Sequence, residues 1–157
     1  MNIVRFLVAI IPALLVIACS NDPASPEEQV RQFIAQAETA AEERDSAALR
    51  GLVADDYLDA QGNDKKNIDN LIRFYLLRHQ KIYLLTTVKE ITLPAPGRAD
   101  VTLAVAMAGA PFPDDIASLQ RLRADAMRFE LTMAQQDHND WRVISARWTR
   151  ANLQDFL

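Results

Sequence analysis

Residues 126–150, AMRFELTMAQQDHNDWRVISARWTR, alternate so regularly that they admit little besides a long antiparallel hairpin. Met127, Phe129, Leu131 and Met133 fall on one side of the first strand, and Arg128, Glu130, Thr132 and Ala134 on the other, because successive strand residues point to opposite faces. The turn is Asp137-His138-Asn139-Asp140, in which Asn and Asp tolerate the left-handed backbone of tight turns. This register predicts Gln136 opposite Trp141, Met133 opposite Ile144, Leu131 opposite Ala146 and Phe129 opposite Trp148. One face is then apolar on both strands. On the other, Glu130 meets Arg147 and Thr132 meets Ser145, pairings that stabilise a sheet and that a one-residue slip would destroy.

Ahead of the hairpin the pattern is helical, then extended. Ser25, Pro26 and Glu28 form a helix start, and Val30, Phe33, Ile34 and Ala37 continue at helical spacing to about residue 44. Asp45 caps a short turn with Leu49, Leu52 and Val53. A further helix is predicted over residues 64–79, with Ile68, Leu71, Ile72, Tyr75, Leu76 and His79 on one face. Residues 81–93 are rich in β-branched and aromatic side chains and read as a strand. After the Pro94–Gly97 turn, Val101, Leu103, Val105 and Met107 alternate with Thr102, Ala104, Ala106 and Ala108. A short helix is expected over residues 114–123. The fold class is therefore α+β: N-terminal helices on one face of a curved antiparallel sheet of about four long strands.

The N-terminus carries a different signal. Residues 6–18, FLVAIIPALLVIA, are apolar without interruption behind Arg5, too short for a membrane span and suited to a secretory signal peptide. Val16-Ile17-Ala18-Cys19 resembles the bacterial lipobox. The resemblance implies cleavage after residue 18, a diacylglycerated and N-acylated Cys19 at the mature N-terminus, and stable anchoring through several acyl chains. Ser20 stands where an Asp would retain the protein in the inner membrane, which implies the periplasmic leaflet of the outer membrane. Residues 19–25 are then a short tether and residues 26–157 a single domain. Loss of Arg5 leaves the mature side chains at 16 positive and 21 negative, a balance that argues against nucleic acid as a partner and is unsuited to binding an anionic lipid surface by charge, so the lipid is expected to anchor the protein while the domain stands off the headgroups.

The chain resembles the nuclear transport factor 2-like (cystatin-like cone) superfamily, shared with ketosteroid isomerase, scytalone dehydratase and polyketide cyclases. The resemblance rests on the first helix, Asp45-x-x-x-Leu49-x-x-Leu52, Asp55-Asp56-Tyr57 with Gly62 after it, and a last strand opening Asp140-Trp141-Arg142-Val143. It covers residues 26–150 and implies a pocket between helices and sheet, lined here by Phe33, Leu103, Phe129, Leu131 and Trp148.

The inward strand positions offer no ionisable side chain in mid-strand, whereas acid–base catalysis needs one. The candidates lie on the helical side: His79 as a base or as a helix C-cap, and Tyr57 and Tyr75 as hydrogen-bonding groups or as packing aromatics. No metal site and no cofactor are expected: His79 and His138 are far apart, and no phosphate-binding glycine loop is present. The outward sheet face, with Ala104, Ala106, Glu130, Trp141 and Arg147, is the candidate interface for a homodimer or an envelope protein. Two functions follow. The first is an envelope lipoprotein facing the periplasm, non-enzymatic, binding a small apolar ligand or another protein. The alternative is a small isomerase- or dehydratase-type enzyme using His79 with Tyr57 or Tyr75 on a hydrophobic substrate.

Overall fold

The computed structural model describes residues 24–113, 124–137 and 140–156. The expected signal peptide, Cys19 and most of the expected tether, the short helix expected at 114–123, and the hairpin tip at 138–139 lie outside the described residues. The elements run α1 (Pro26–Glu42), α2 (Ser46–Gly51), α3 (Lys65–Arg78), β1 (Tyr83–Ala95), β2 (Arg98–Ala108), β3 (Ala124–Gln135) and β4 (Trp141–Arg150), with a C-terminal 3-10 turn (Leu153–Phe156).

Each helix starts at a side chain that accepts orphan backbone N–H groups. The Ser25 hydroxyl accepts from Glu28 N–H at 3.2 Å, Asp45 from Ala47 and Ala48 at 2.9 Å each, and Asp64 from Asn67 at 2.8 Å. α1 stops earlier than expected. Arg44 takes the left-handed backbone, φ 59°, so that Asp45 N–H reaches back to the Ala40 carbonyl at 2.8 Å. Glycine is the usual residue at such a helix end. The Arg44 side chain is tied down instead, donating to the Leu76 carbonyl at the end of α3 at 2.8 Å.

The strands form an antiparallel meander in the order β1-β2-β3-β4. Pro96-Gly97 makes the first turn, with Gly97 at φ 69°, the left-handed position that a Pro-Gly turn requires. From Arg128 to Thr132 the last hairpin pairs as its alternation predicts: Phe129 with Trp148, Glu130 with Arg147, Leu131 with Ala146 and Thr132 with Ser145. Below that the register shifts by one. Met133 pairs with Val143 instead of Ile144, and Gln135 with Trp141 instead of Gln136. Ile144 is the extra residue of a β-bulge, and the shift reverses the faces of the strand beneath it. Trp141 and Val143 therefore turn into the core, where Trp141 is 6% exposed. Trp141 is thus not an outward interface residue.

The segment between α2 and α3 runs along β4. Ala54 N–H donates to the Val143 carbonyl at 3.0 Å, Val143 N–H to Leu52 at 2.9 Å and Leu58 N–H to Ile144 at 3.1 Å. Buried Asp59 holds the following loop, accepting from the Gln61 and Asn63 N–H groups at 2.9 Å each and from the Asn63 amide at 2.8 Å.

The core fills the narrow end of the cone. Val30, Phe33 and Ile34 of α1 pack with Val53 and Tyr57 against Ala99, Val101, Leu103, Met133, Trp141 and Val143 of the sheet. The outward face is also occupied in part by the chain itself. The C-terminal turn packs on β1 and β2, and Asp155 reaches Arg128, which stands opposite Ala104, at 3.6 Å. Ala104 is completely buried and Ala106 nearly so. The expected open interface at these alanines is corrected accordingly: their small side chains admit the chain's own C-terminus.

Candidate functional site

The wide end of the cone is where chemistry gathers. β3 begins at Ala124, earlier than the alternation from residue 126 marks, and this places Asp125 opposite Met107 on the same side as Met127 and Phe129. At the matching end of β4, Arg150 pairs with Met127 on that side. Across from them the last turn of α3 supplies Tyr75 and His79. The Tyr75 hydroxyl lies beside the Asp125 carboxylate, and its ring stacks on His79 with centroids 4.4 Å apart and planes 18° from parallel. Burial, and then the neighbouring Asp125 carboxylate, raise the Tyr75 phenol above its ordinary value. Tyr75 therefore keeps its proton at neutral pH and acts as a donor.

The other tyrosine serves the fold. Tyr57 is buried at 3% exposure and donates to Asp59 at 3.3 Å, with Ala146 of β4 beside its hydroxyl. Burial and then Asp59 push its phenol up to about 12. The structure thus brings Tyr75 and His79 together and leaves Tyr57 elsewhere, tying a loop to a strand. His79 ends α3 with an extended backbone, φ −116° and ψ 110°, and offers its ring face to Tyr75.

The expected pocket residues divide between core and rim. Phe33 and Leu103 are buried in the core, Phe129 and Leu131 pack partly buried against it, and Trp148 is half-buried opposite Phe129. The inner wall is mainly apolar, broken by the buried Thr86 hydroxyl opposite Val105 and by Gln135 opposite Trp141, and charged groups stand at its rim in Asp125 and Arg150, near Tyr75. Asp125 and Arg150 escape a reading confined to mid-strand positions. The signal for Asp125 is the continued alternation Asp125-Met127-Phe129-Leu131. Two grooves lie outside the cone: one of about 340 Å³ between α1 and α2, and one of about 480 Å³ bordered by Gln29, Gln32, Gln36, Leu52 and Arg142. Among the described residues no cluster of three or more His, Cys, Asp or Glu side chains is placed to hold a metal, and no helix is long and apolar enough to cross a membrane.

Helices folded over the concave side of a four-stranded meander recur in solved structures. A candidate dehydratase of the nuclear transport factor 2-like family from Streptomyces avermitilis superposes with a TM-score of 0.62 at 14% identity, over 82% of this chain and 99% of that one. This chain has the nuclear transport factor 2-like fold. A ketosteroid isomerase-like protein from Erwinia carotovora shares that fold at a TM-score of 0.58 and 12% identity, over 82% of this chain and 99% of its own. A Bdellovibrio bacteriovorus protein matches at 0.61 and 10% identity over 80% of this chain, which spans 40% of that longer one. Neither a family model nor a curated protein matches the sequence. At these identities the likeness is one of fold, and function has to be argued from the site.

Proposed function

We propose that this protein is a lipid-anchored envelope protein, held through Cys19 on the periplasmic leaflet of the outer membrane, whose nuclear transport factor 2-like cone is a non-enzymatic binding module. The observation that carries the reading is the division of the inner wall: mainly apolar from Leu103 and Leu131 up to Phe129, Met127 and Trp148, with the Thr86 hydroxyl among them, and charged at the rim, where Asp125 and Arg150 stand with Tyr75. Such a wall suits a small ligand with an apolar body and a hydrogen-bonding or anionic end. What remains of the outward sheet face for a second copy or an envelope partner is the polar patch around Glu130 and Arg147.

Two measurements test the reading. Cys19→Ser should move the protein from the membrane fraction to the soluble periplasm, and an unchanged distribution removes the anchor. Anilinonaphthalene sulfonate, an aromatic anion, should brighten on the native protein, with Arg150→Ala and Trp148→Ala each weakening its binding severalfold. A native protein that leaves the dye dark has no accessible apolar site.

A second reading, an isomerase- or dehydratase-type enzyme, is favoured by the Tyr75–Asp125 pair beside His79. The named activities of the Erwinia and Streptomyces proteins lend it some support. In that reading Tyr75 donates to a substrate oxygen and Asp125 or His79 moves the proton. Turnover of a hydrophobic ketone or hydroxy compound that Asp125→Asn abolishes would establish it.

A further inference from the structure

The outer side of α3 carries an unusual set of residues for a water-facing surface. Leu71, Phe74 and Leu77 recur every third residue and are 47%, 58% and 81% exposed. Residues this far apart form a ridge along one side of a helix. Cations flank the ridge: Lys66, Arg73 and Arg78 are all exposed, and the Arg78 guanidinium lies 5.2 Å from the centre of the Phe74 ring. From residue 65 to residue 81 the chain has Lys65, Lys66, Arg73, Arg78 and Lys81 against one acid, Asp69, and the Oδ1 of Asp69 is buried. A chain that is acidic overall therefore presents one basic, apolar strip.

We propose that this strip docks the domain on an anionic phospholipid surface, with Leu71, Phe74 and Leu77 entering the headgroup boundary and Lys66, Arg73 and Arg78 meeting lipid phosphates. Leucine and phenylalanine on one side with lysine and arginine beside them is the composition of helices that lie in a membrane interface. The negative charge of the rest of the domain does not prevent this, because at physiological salt a charge is screened beyond about 8 Å, and only groups at the contact count. Three apolar side chains make a weak contact on their own. The inference rests on the acylated Cys19 for its strength: the five steps of chain from Cys19 to Ala24 reach at most about 18 Å, so the strip samples the bilayer at high effective concentration. The adjoining side of the same helix, one turn on from Leu71, carries Tyr75 and His79 at the rim. Docking α3 sets that rim at headgroup level, so an apolar ligand passes between bilayer and cone without crossing water.

The test uses the full acylated chain purified from membranes and reconstituted in phosphatidylethanolamine–phosphatidylglycerol vesicles. Cys19 is the chain's one cysteine, and acylation blocks its thiol. A fluorophore can therefore be placed on Phe74→Cys or, as control, on Thr92→Cys of the outward sheet face. Nitroxide-bearing lipid should quench the label at Phe74→Cys severalfold more than the label at Thr92→Cys. The difference should collapse in phosphatidylcholine vesicles and in the Lys66→Glu/Arg73→Glu/Arg78→Glu variant. Equal quenching at the two sites overturns the proposal. So does a label at Phe74→Cys that is shielded from iodide in native envelopes but not in vesicles, which assigns the strip to a protein. A concentration-dependent shift of that label in lipid-free detergent assigns it to a second copy and likewise overturns the proposal. The mass of the N-terminal peptide reads acylation separately. If Cys19 proves unmodified, the same quenching on a Cys19→Ser background added to preformed vesicles still decides whether α3 meets lipid.

Discussion

The indole N–H of Trp141 donates to Oε1 of Gln29 at 3.1 Å, and the Gln135 amide donates to the same oxygen at 3.2 Å. One glutamine of α1 thus pins the foot of β4 and the end of β3 together. Trp141→Ala removes a 6%-exposed ring and should cost about 3–5 kcal/mol as a core cavity. Trp141→Phe keeps most of the volume and loses the hydrogen bond; the bond alone contributes about 1 kcal/mol. Denaturant unfolding measures both, and a near-neutral Trp141→Ala would put the ring back on the surface.

Tyr57 makes the protein sensitive to alkali. An unfolded phenol titrates near 10, whereas the buried one is pushed up to about 12. Across that window the unfolded chain has released a proton that the native chain retains, so stability should fall as pH rises from about 10 to about 12. Tyr57→Phe should remove this part of the fall. Phenolate absorbance of the native protein should show Tyr57 titrating last of its three tyrosines, with Tyr75 also delayed. Titration of all three together near 10 contradicts the buried Tyr57–Asp59 pair.

Asp59 should be as important as any core residue. Its carboxylate accepts two backbone N–H groups, the Asn63 amide and the Tyr57 hydroxyl. Asp59→Ala strands these donors and should cost about 3 kcal/mol or more. Hydrogen exchange should show the residues from 58 to 64 opening first, and a loss below about 1 kcal/mol would mean that water replaces the carboxylate freely.

Removing residues 151–157 should convert a covered surface into a sticky one. Ala104, Ala106 and Ala108 lose the C-terminal turn, and Arg128 loses Asp155. Sedimentation should show more self-association than in the full chain. A truncated protein that stays monomeric with unchanged stability means the turn contributes nothing to the burial of those alanines.

Much of this architecture is legible in the sequence where one interaction dominates. Alternation fixes the pairs from Arg128 to Thr132, and side-chain caps mark all three helix starts. The bulge at Ile144 is not legible, because it depends on a partner distant in sequence: residues 52–58 bond to Val143 and Ile144, and Gln29 receives Trp141. Trp141 next to Asp140 and Arg142 reads as a surface residue until that partner is known. Asp125 is hidden for another reason, since the alternation that reveals it starts at the residue itself. The role of residues 153–156 has no local pattern at all, and shows only in the smallness of the alanines beneath them.

The segment fastened along β4 has one more effect. A sheet grows by adding strands to an edge whose N–H and C=O groups are free, which is also how aggregates propagate. Here Val143 and Ile144 are already engaged by Leu52, Ala54 and Leu58. Over those residues the flank of the sheet is closed to the addition of a strand from another molecule.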